Sequence, residues 1–167
     1  MEQPTLSNKE AVNKLRKIVE QVKIAMMATL DDDKNIFSRP MHSLQVDDDG
    51  NIWFFTNKQS EKVEDVQTNN TVYLMYSHPG ENTYMHVKGK SSIVNDRQKI
   101  DELWSTFVKA WFPEGKDDPN LCLLKVDTEE ASYWDSESNK FLSFFNIAKA
   151  IASGEKHTEG EVGKLKL

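Results

Sequence analysis

The segment Phe54-Phe55-Thr56-Asn57-Lys58-Gln59-Ser60-Glu61-Lys62 brings two hydroxyls and an ammonium to the end of an apolar run. Ser60 is placed to open a helix, and a helix start offers free backbone N–H groups and a partial positive charge. With the Thr56 and Ser60 hydroxyls and the Lys62 ammonium, that arrangement suits a phosphate monoester. Serine also begins helices that bind nothing, and Lys62 could be a solvated helix residue. The segment permits anion binding without requiring it.

A second candidate is Ser38-Arg39-Pro40-Met41, read as part of a strand. Proline removes a ladder donor, so it belongs at a sheet edge or a bulge, where backbone groups are free to meet a ligand. Arg39 would lie on the strand beside Thr56–Lys62; a solvated edge arginine is the plainer reading. A third set is aromatic: Trp104, Trp111, Phe112, Tyr133 and Trp134. Trp104 keeps helical spacing with Leu103 and Phe107 and reads as core. Trp111 and Phe112 precede Pro113 at a helix end, where they could stack on a planar ring or close the end of a barrel. His42, His78, His86 and His157 lack paired metal spacing, and no metal site is expected. The carboxylates cluster in turns. No side chain stands out as an acid or base, so no catalytic residue is named. A Gly-rich dinucleotide fingerprint, a P-loop and G-x-S-x-G are all missing.

The elements that must position these residues follow from periodicity. Ser7 and Glu10 form a capping box ahead of a helix over about 8 to 22. Strands are expected at 24–30, 36–46 and 51–56, the first three forming an antiparallel meander with Asp-rich turns. A short helix follows Ser60, then strands at 71–77 and 83–94, with a bulge or close backbone approach at Gly89. A helix is expected over 96–111, a loop over 112–119, a sixth strand over 121–134, and a short strand and final helix over 139–153. We expect one domain over 1–153 and a flexible C-terminal tail over 154–167. The order points to an α+β protein, mainly antiparallel, built as a six-stranded split β-barrel with peripheral helices. Two copies packed together would cover its edges and apolar faces, as a homodimer.

The chain has 167 residues, 38% hydrophobic and 29% charged, which fits a globular domain. Its net charge is −6 and it has no basic stripe, which argues against nucleic acid as a partner. No apolar run nears the roughly 20 residues needed to span a bilayer, so no membrane partner is expected. A single cysteine, Cys122, in an apolar run fits a buried hydrophobe in a reducing, cytoplasmic setting.

Taken in order, Ser38-Arg39-Pro40-Met41, Trp53-Phe54-Phe55-Thr56 with Ser60 and Lys62, Val87-Lys88-Gly89-Lys90, Trp104 with Trp111-Phe112-Pro113-Glu114-Gly115, and Tyr133-Trp134-Asp135 form one pattern. The chain resembles the pyridoxamine-phosphate-oxidase-like flavin-binding split barrels, in the general stress protein 26 branch. The resemblance implies FMN, with FAD possible, in a groove between two subunits. Arg39, Pro40 and Met41 would line the groove, Phe55 and Thr56 would contact the flavin, and Ser60 and Lys62 would hold the phosphate. Tyr84 would add a polar contact, and Trp111, Phe112 and Trp134 resemble groups supplied by the second subunit.

Two departures matter. Pyridoxamine-phosphate oxidases carry an Arg-x-His-x-Arg element shortly after the match to Tyr133-Trp134, and this chain has Lys140-Phe141-Leu142-Ser143-Phe144 instead. The grip on the vitamin phosphate is missing, which argues against vitamin B6 oxidation. Glu61 stands where those oxidases often carry a basic residue. The resemblance therefore implies an FMN-dependent oxidoreductase of unknown substrate with a stress-response role, using NAD(P)H or a small molecule as partner. The alternative is a non-catalytic protein that buffers or senses flavin. Haem or a deazaflavin in the same groove ranks third, since no histidine is placed as an axial ligand and the chain is acidic.

Overall fold

The computed structural model describes residues 8–135 and 161–166, without the side chains of 8, 61, 62, 65, 68, 161–164 and 166. Ser7, and with it the capping box, lies outside the described residues, as do 139–153.

Helix α1 (Asn8–Val22) turns at Lys23, whose positive φ of 65° reverses the chain into β1 (Ile24–Leu30). Then come β2 (Ile36–His42), β3 (Gln45–Val46), β4 (Ile52–Asn57), α2 (Glu61–Thr68), β5 (Thr71–His78), β6 (Thr83–Val94), α3 (Arg97–Leu103), β7 (Leu121–Asp135) and β8 (Glu161–Lys166). The sheet order is β2-β1-β5-β6-β7-β4-β3, and every pairing is antiparallel.

This order explains the shape. β2 and β3 stand at opposite ends of the sheet, yet Ser43 and Leu44 alone join them in the chain. The sheet must curl until its two edges meet there. The result is a split β-barrel of seven strands, one more than the six expected, because the stretch read as one strand over 36–46 bends into β2 and β3. The expected meander therefore holds as two hairpin pairings, β1–β2 and β3–β4, with no ladder between β2 and β4.

β8 is an eighth strand. It pairs with the second half of β7, Asp135 opposite Glu161, while β4 pairs with the first half. Residues 161–166 thus leave the loose tail expected over 154–167. Leu165, buried to 1% exposure, anchors them in the core.

Ala11, Leu15, Ile18 and Val19 recur at helical spacing on α1, and all are buried against Met27, Phe54, Leu74, Tyr76 and Tyr133 inside the curl. A second cluster lies on the outer side of β4 and β7, where Trp53, Leu121 and Leu123 pack against Ile100, Val108 and Phe112. These two strands are covered on both faces, so Trp53-Phe54-Phe55 and Leu121-Cys122-Leu123-Leu124 read as unbroken apolar runs. Cys122 is fully buried.

The helix expected over 96–111 is shorter. Asp96 caps it, accepting from the Lys99 backbone N–H at 3.1 Å, but Trp104 is extended with ψ of 133°. A 3₁₀ turn, Thr106–Ala110, follows. The break lets Trp104 drop against Phe55 and swings Phe107 and Trp111 outward. Gly89 sits where the β6–β7 register shifts, as expected; a Cβ there would lie 2.6 Å from the Asp127 carbonyl oxygen.

Candidate functional site

The Leu44 backbone N–H donates to the Trp53 carbonyl at 2.8 Å, holding the two edges together at the vertex of the split. Beyond it β2 and β4 diverge, and a groove of about 500 Å³ opens between them. Pro40, Met41 and His42 form one wall, and Phe55, Thr56 and Asn57 the other. Phe107, Val108, Trp111 and Phe112 cover it, while Ile24 and Leu44 complete the lining.

The cover is part fixed and part free. Phe112 and Val108 are buried in the outer cluster. Phe107 and Trp111 are 57% and 63% exposed, their ring centroids 4.9 Å apart. Phe55 is braced edge-on by Trp104 at 5.9 Å. Met41 is buried, so the wall it forms belongs to the barrel core.

At the α2 end, Thr56 is buried and its Oγ1 lies 3.5 Å from the Ser60 Oγ. The Ser60 hydroxyl donates to the Asn57 carbonyl at 2.8 Å, turning back into the loop. The Gln59 backbone N–H donates to Asn57 Oδ1 at 2.8 Å, which fixes the turn. Thr56 and Asn57 thus line the groove at this end, while Ser60 stands behind them, outside the lining. The Lys62 side chain lies outside the described residues, as does that of Glu61.

Six of the expected residues meet in this groove: Pro40, Met41, Phe55, Thr56, Trp111 and Phe112. Trp111 and Phe112 line it from the same chain as Met41 and Phe55. Arg39 is on the neighbouring strand but outside the lining, and its Nη1 donates to Thr29 Oγ1 at 2.6 Å. Tyr84 and Trp134 pair directly across β6 and β7 on the outer face of the sheet, away from the lining. They are 38% and 45% exposed and share that face with Ile24, Met26 and Met75.

His42 is the residue that sequence reasoning passed over. Its ring packs on Phe107 with centroids 5.2 Å apart. Burial, helped by the positive charge of Lys23, holds its pKa below the usual histidine range. Strand alternation was the available signal: the face that carries Pro40 also carries His42.

The family model for pyridoxamine 5'-phosphate oxidase-like proteins matches residues 10–158. General stress protein 26 of Bacillus subtilis is 29% identical over 128 residues, covering 75% of this chain and 89% of that protein. The general stress FMN/FAD binding protein of Xanthomonas citri is 32% identical with a TM-score of 0.67, over 78% of this chain and 92% of that one. A structure from Jannaschia sp. CCS1, provisionally assigned to general stress protein 26, superposes with a TM-score of 0.78 at 28% identity, over 95% of this chain and 99% of that one.

Proposed function

Because the chain belongs to the pyridoxamine 5'-phosphate oxidase-like family, we propose that it binds flavin mononucleotide in the groove between β2 and β4, and does so as a homodimer. The observation that carries this reading is the groove itself: an apolar slot walled by Met41, Phe55 and Trp111 that reaches Thr56 and Asn57 at the α2 end, with the Ser60 hydroxyl 3.5 Å behind that of Thr56. Its volume of about 500 Å³ falls within the range of small-ligand sites. The donor set fits the group, with apolar and aromatic walls for a planar ring and hydroxyls beside a helix start for a phosphate. Lys62 and Arg39 would add positive charge toward the phosphate end. FAD would need its extra nucleotide, which is joined through the phosphate, to leave the slot at the α2 end beside Thr56 and Asn57.

The exposed face of β1, β5, β6 and β7 supports pairing with a second copy. Met26 and Met75 are direct cross-strand neighbours there, as are Tyr84 and Trp134. Ile24 belongs both to this face and to the groove, so a copy seated on the face would also close the slot. Tyr84 and Trp134 would then approach the ligand from the partner.

A bound flavin would carry electrons for an oxidoreductase, while these residues hold it, orient it and exclude water. The favoured reading is a cytoplasmic flavin-dependent oxidoreductase with a stress-response role, taking NAD(P)H or a small molecule as partner. A flavin buffer or sensor is the second reading, favoured by a lining that, among the described residues, holds no lysine, arginine or carboxylate. Mass spectrometry of the small molecule that co-purifies tests the first step and should return FMN. A protein that carries no flavin and takes up none of the FMN added to it would overturn the proposal.

A further inference from the structure

Four side chains in the groove lining can form hydrogen bonds: His42, Thr56, Asn57 and, through the indole N–H of a ring that is 63% exposed, Trp111. Thr56 and Asn57 are engaged in the turn at the α2 end, one against Ser60 and the other accepting from Gln59. His42 stands at the other end, near the vertex of the split beside Leu44. Among the described residues neither of its ring nitrogens has a hydrogen-bond partner. The contact with Phe107 sets the ring plane, with 46° between the two rings. A neutral imidazole offers one donor and one acceptor in its plane, and the half-buried setting beside Lys23 favours that neutral form.

We infer that His42 is a ligand-contacting residue that sets specificity: its imidazole hydrogen-bonds the heteroatom edge of a planar nitrogen heterocycle lying in the groove. The matching ligand class has ring carbonyls or ring N–H groups along its edge, since the one imidazole nitrogen that faces such an edge can donate to a carbonyl oxygen or accept from an N–H, according to the tautomer. The inference rests on the flavin reading, and it adds which part of the ligand is recognised and by what. The Thr56–Ser60 turn would hold the anionic end, and His42 would read the ring end. A ligand with a purely hydrocarbon ring would leave the imidazole desolvated and unpaired, which disfavours it.

The test is titration of FMN into flavin-free protein, followed by quenching of flavin fluorescence. It compares the unsubstituted chain with His42→Phe and His42→Gln. Phenylalanine keeps the contact with Phe107 and removes both nitrogens; glutamine keeps a donor and an acceptor. His42→Phe should weaken binding by about tenfold, and His42→Gln by about threefold or less. Independently, the imidazole nitrogen resonances of His42 in the unsubstituted chain should shift when FMN is added.

FMN binding with equal affinity in His42→Phe, or with unmoved His42 nitrogens, overturns the inference and leaves the flavin reading standing. An unsubstituted chain that does not bind FMN overturns both. Should His42→Phe fail to fold, the nitrogen resonances and His42→Gln decide: unmoved nitrogens, or a loss of about tenfold or more in His42→Gln, would count against it.

Discussion

The Lys14 ammonium lies 2.7 Å from the Asp135 carboxylate, tying the middle of α1 to the last residue of β7. Their side chains are 12% and 9% exposed, the lysine sits 4.8 Å above the Tyr133 ring, and Thr83 Oγ1 donates to the other carboxylate oxygen at 3.3 Å. Asp135→Asn would take the carboxylate charge from beside the buried Lys14 ammonium and should destabilise the fold by about 3 kcal/mol in urea unfolding. The pair Lys14→Met with Asp135→Leu should recover much of that loss, because an apolar pair has no desolvation penalty to offset.

Gly89→Ala tests the bulge. The new Cβ would meet the Asp127 carbonyl oxygen at 2.6 Å and the Val126 Cγ1 at 2.7 Å, and backbone cannot step aside as a side-chain tip can. We expect a loss of about 2 kcal/mol, read as a lowered urea midpoint at unchanged slope.

Ligand binding and stability should separate at Trp111. Its ring is more exposed than buried, so Trp111→Ala should leave the melting temperature within a few degrees while weakening FMN by about tenfold. Lys62→Ala should weaken FMN by about 1–3 kcal/mol through loss of a charge-assisted contact. Unchanged FMN affinity in either variant would remove that residue from the site.

Met26 and Met75 face each other across β1 and β5, each 40% exposed. In the homodimer reading they lie in the covered face, where an unpaired charge is heavily penalised. Met26→Lys should convert dimer to monomer in light scattering with little change in far-UV circular dichroism.

Acid should weaken the fold in two stages. The folded His42 binds its proton less readily than the free side chain, whose pKa is 6.5. Its contribution is present above that value and is lost as pH falls through the lower folded one. Asp47 acts further down. Burial pushes its carboxyl up, but hydrogen bonds from the Trp53 indole and from Asn51 and Asp49 outweigh that and hold it below 3.8. Its contribution is present above 3.8 and lost as pH falls below it. Melting temperature followed against pH should show both steps, with the upper one absent in His42→Gln.

Periodicity made most of the elements legible. α1, β1 and β6 end where the sequence ends their patterns, because each has a single buried face and a turn or reversal at its border. Pro40 announced an edge, and β2 is an edge strand. The helix over 96–111 misled because Leu103, Trp104, Phe107 and Val108 keep helical spacing across a break; Trp104 leaves the helix to brace Phe55, a tertiary contact that local spacing does not encode. β8 was hidden for a similar reason: Gly163 and Lys164 look like linker, and Leu165 becomes core only once β7 is present to pair with. At the site, the walls and the hydroxyl pair could be read from motifs. His42 was legible only as a residue on the face of Pro40, because its ring contact comes from the 3₁₀ turn that the sequence assigned to a helix.

β7 is long enough for two strands to share one of its flanks, β4 first and β8 after the bulge. Residues 161–166 therefore occupy a place that would otherwise show a row of bare N–H and C=O groups, the template by which sheets recruit foreign strands. Trimming the chain before position 161 would turn a finished flank into a growing one, and the first consequence would be self-association rather than unfolding.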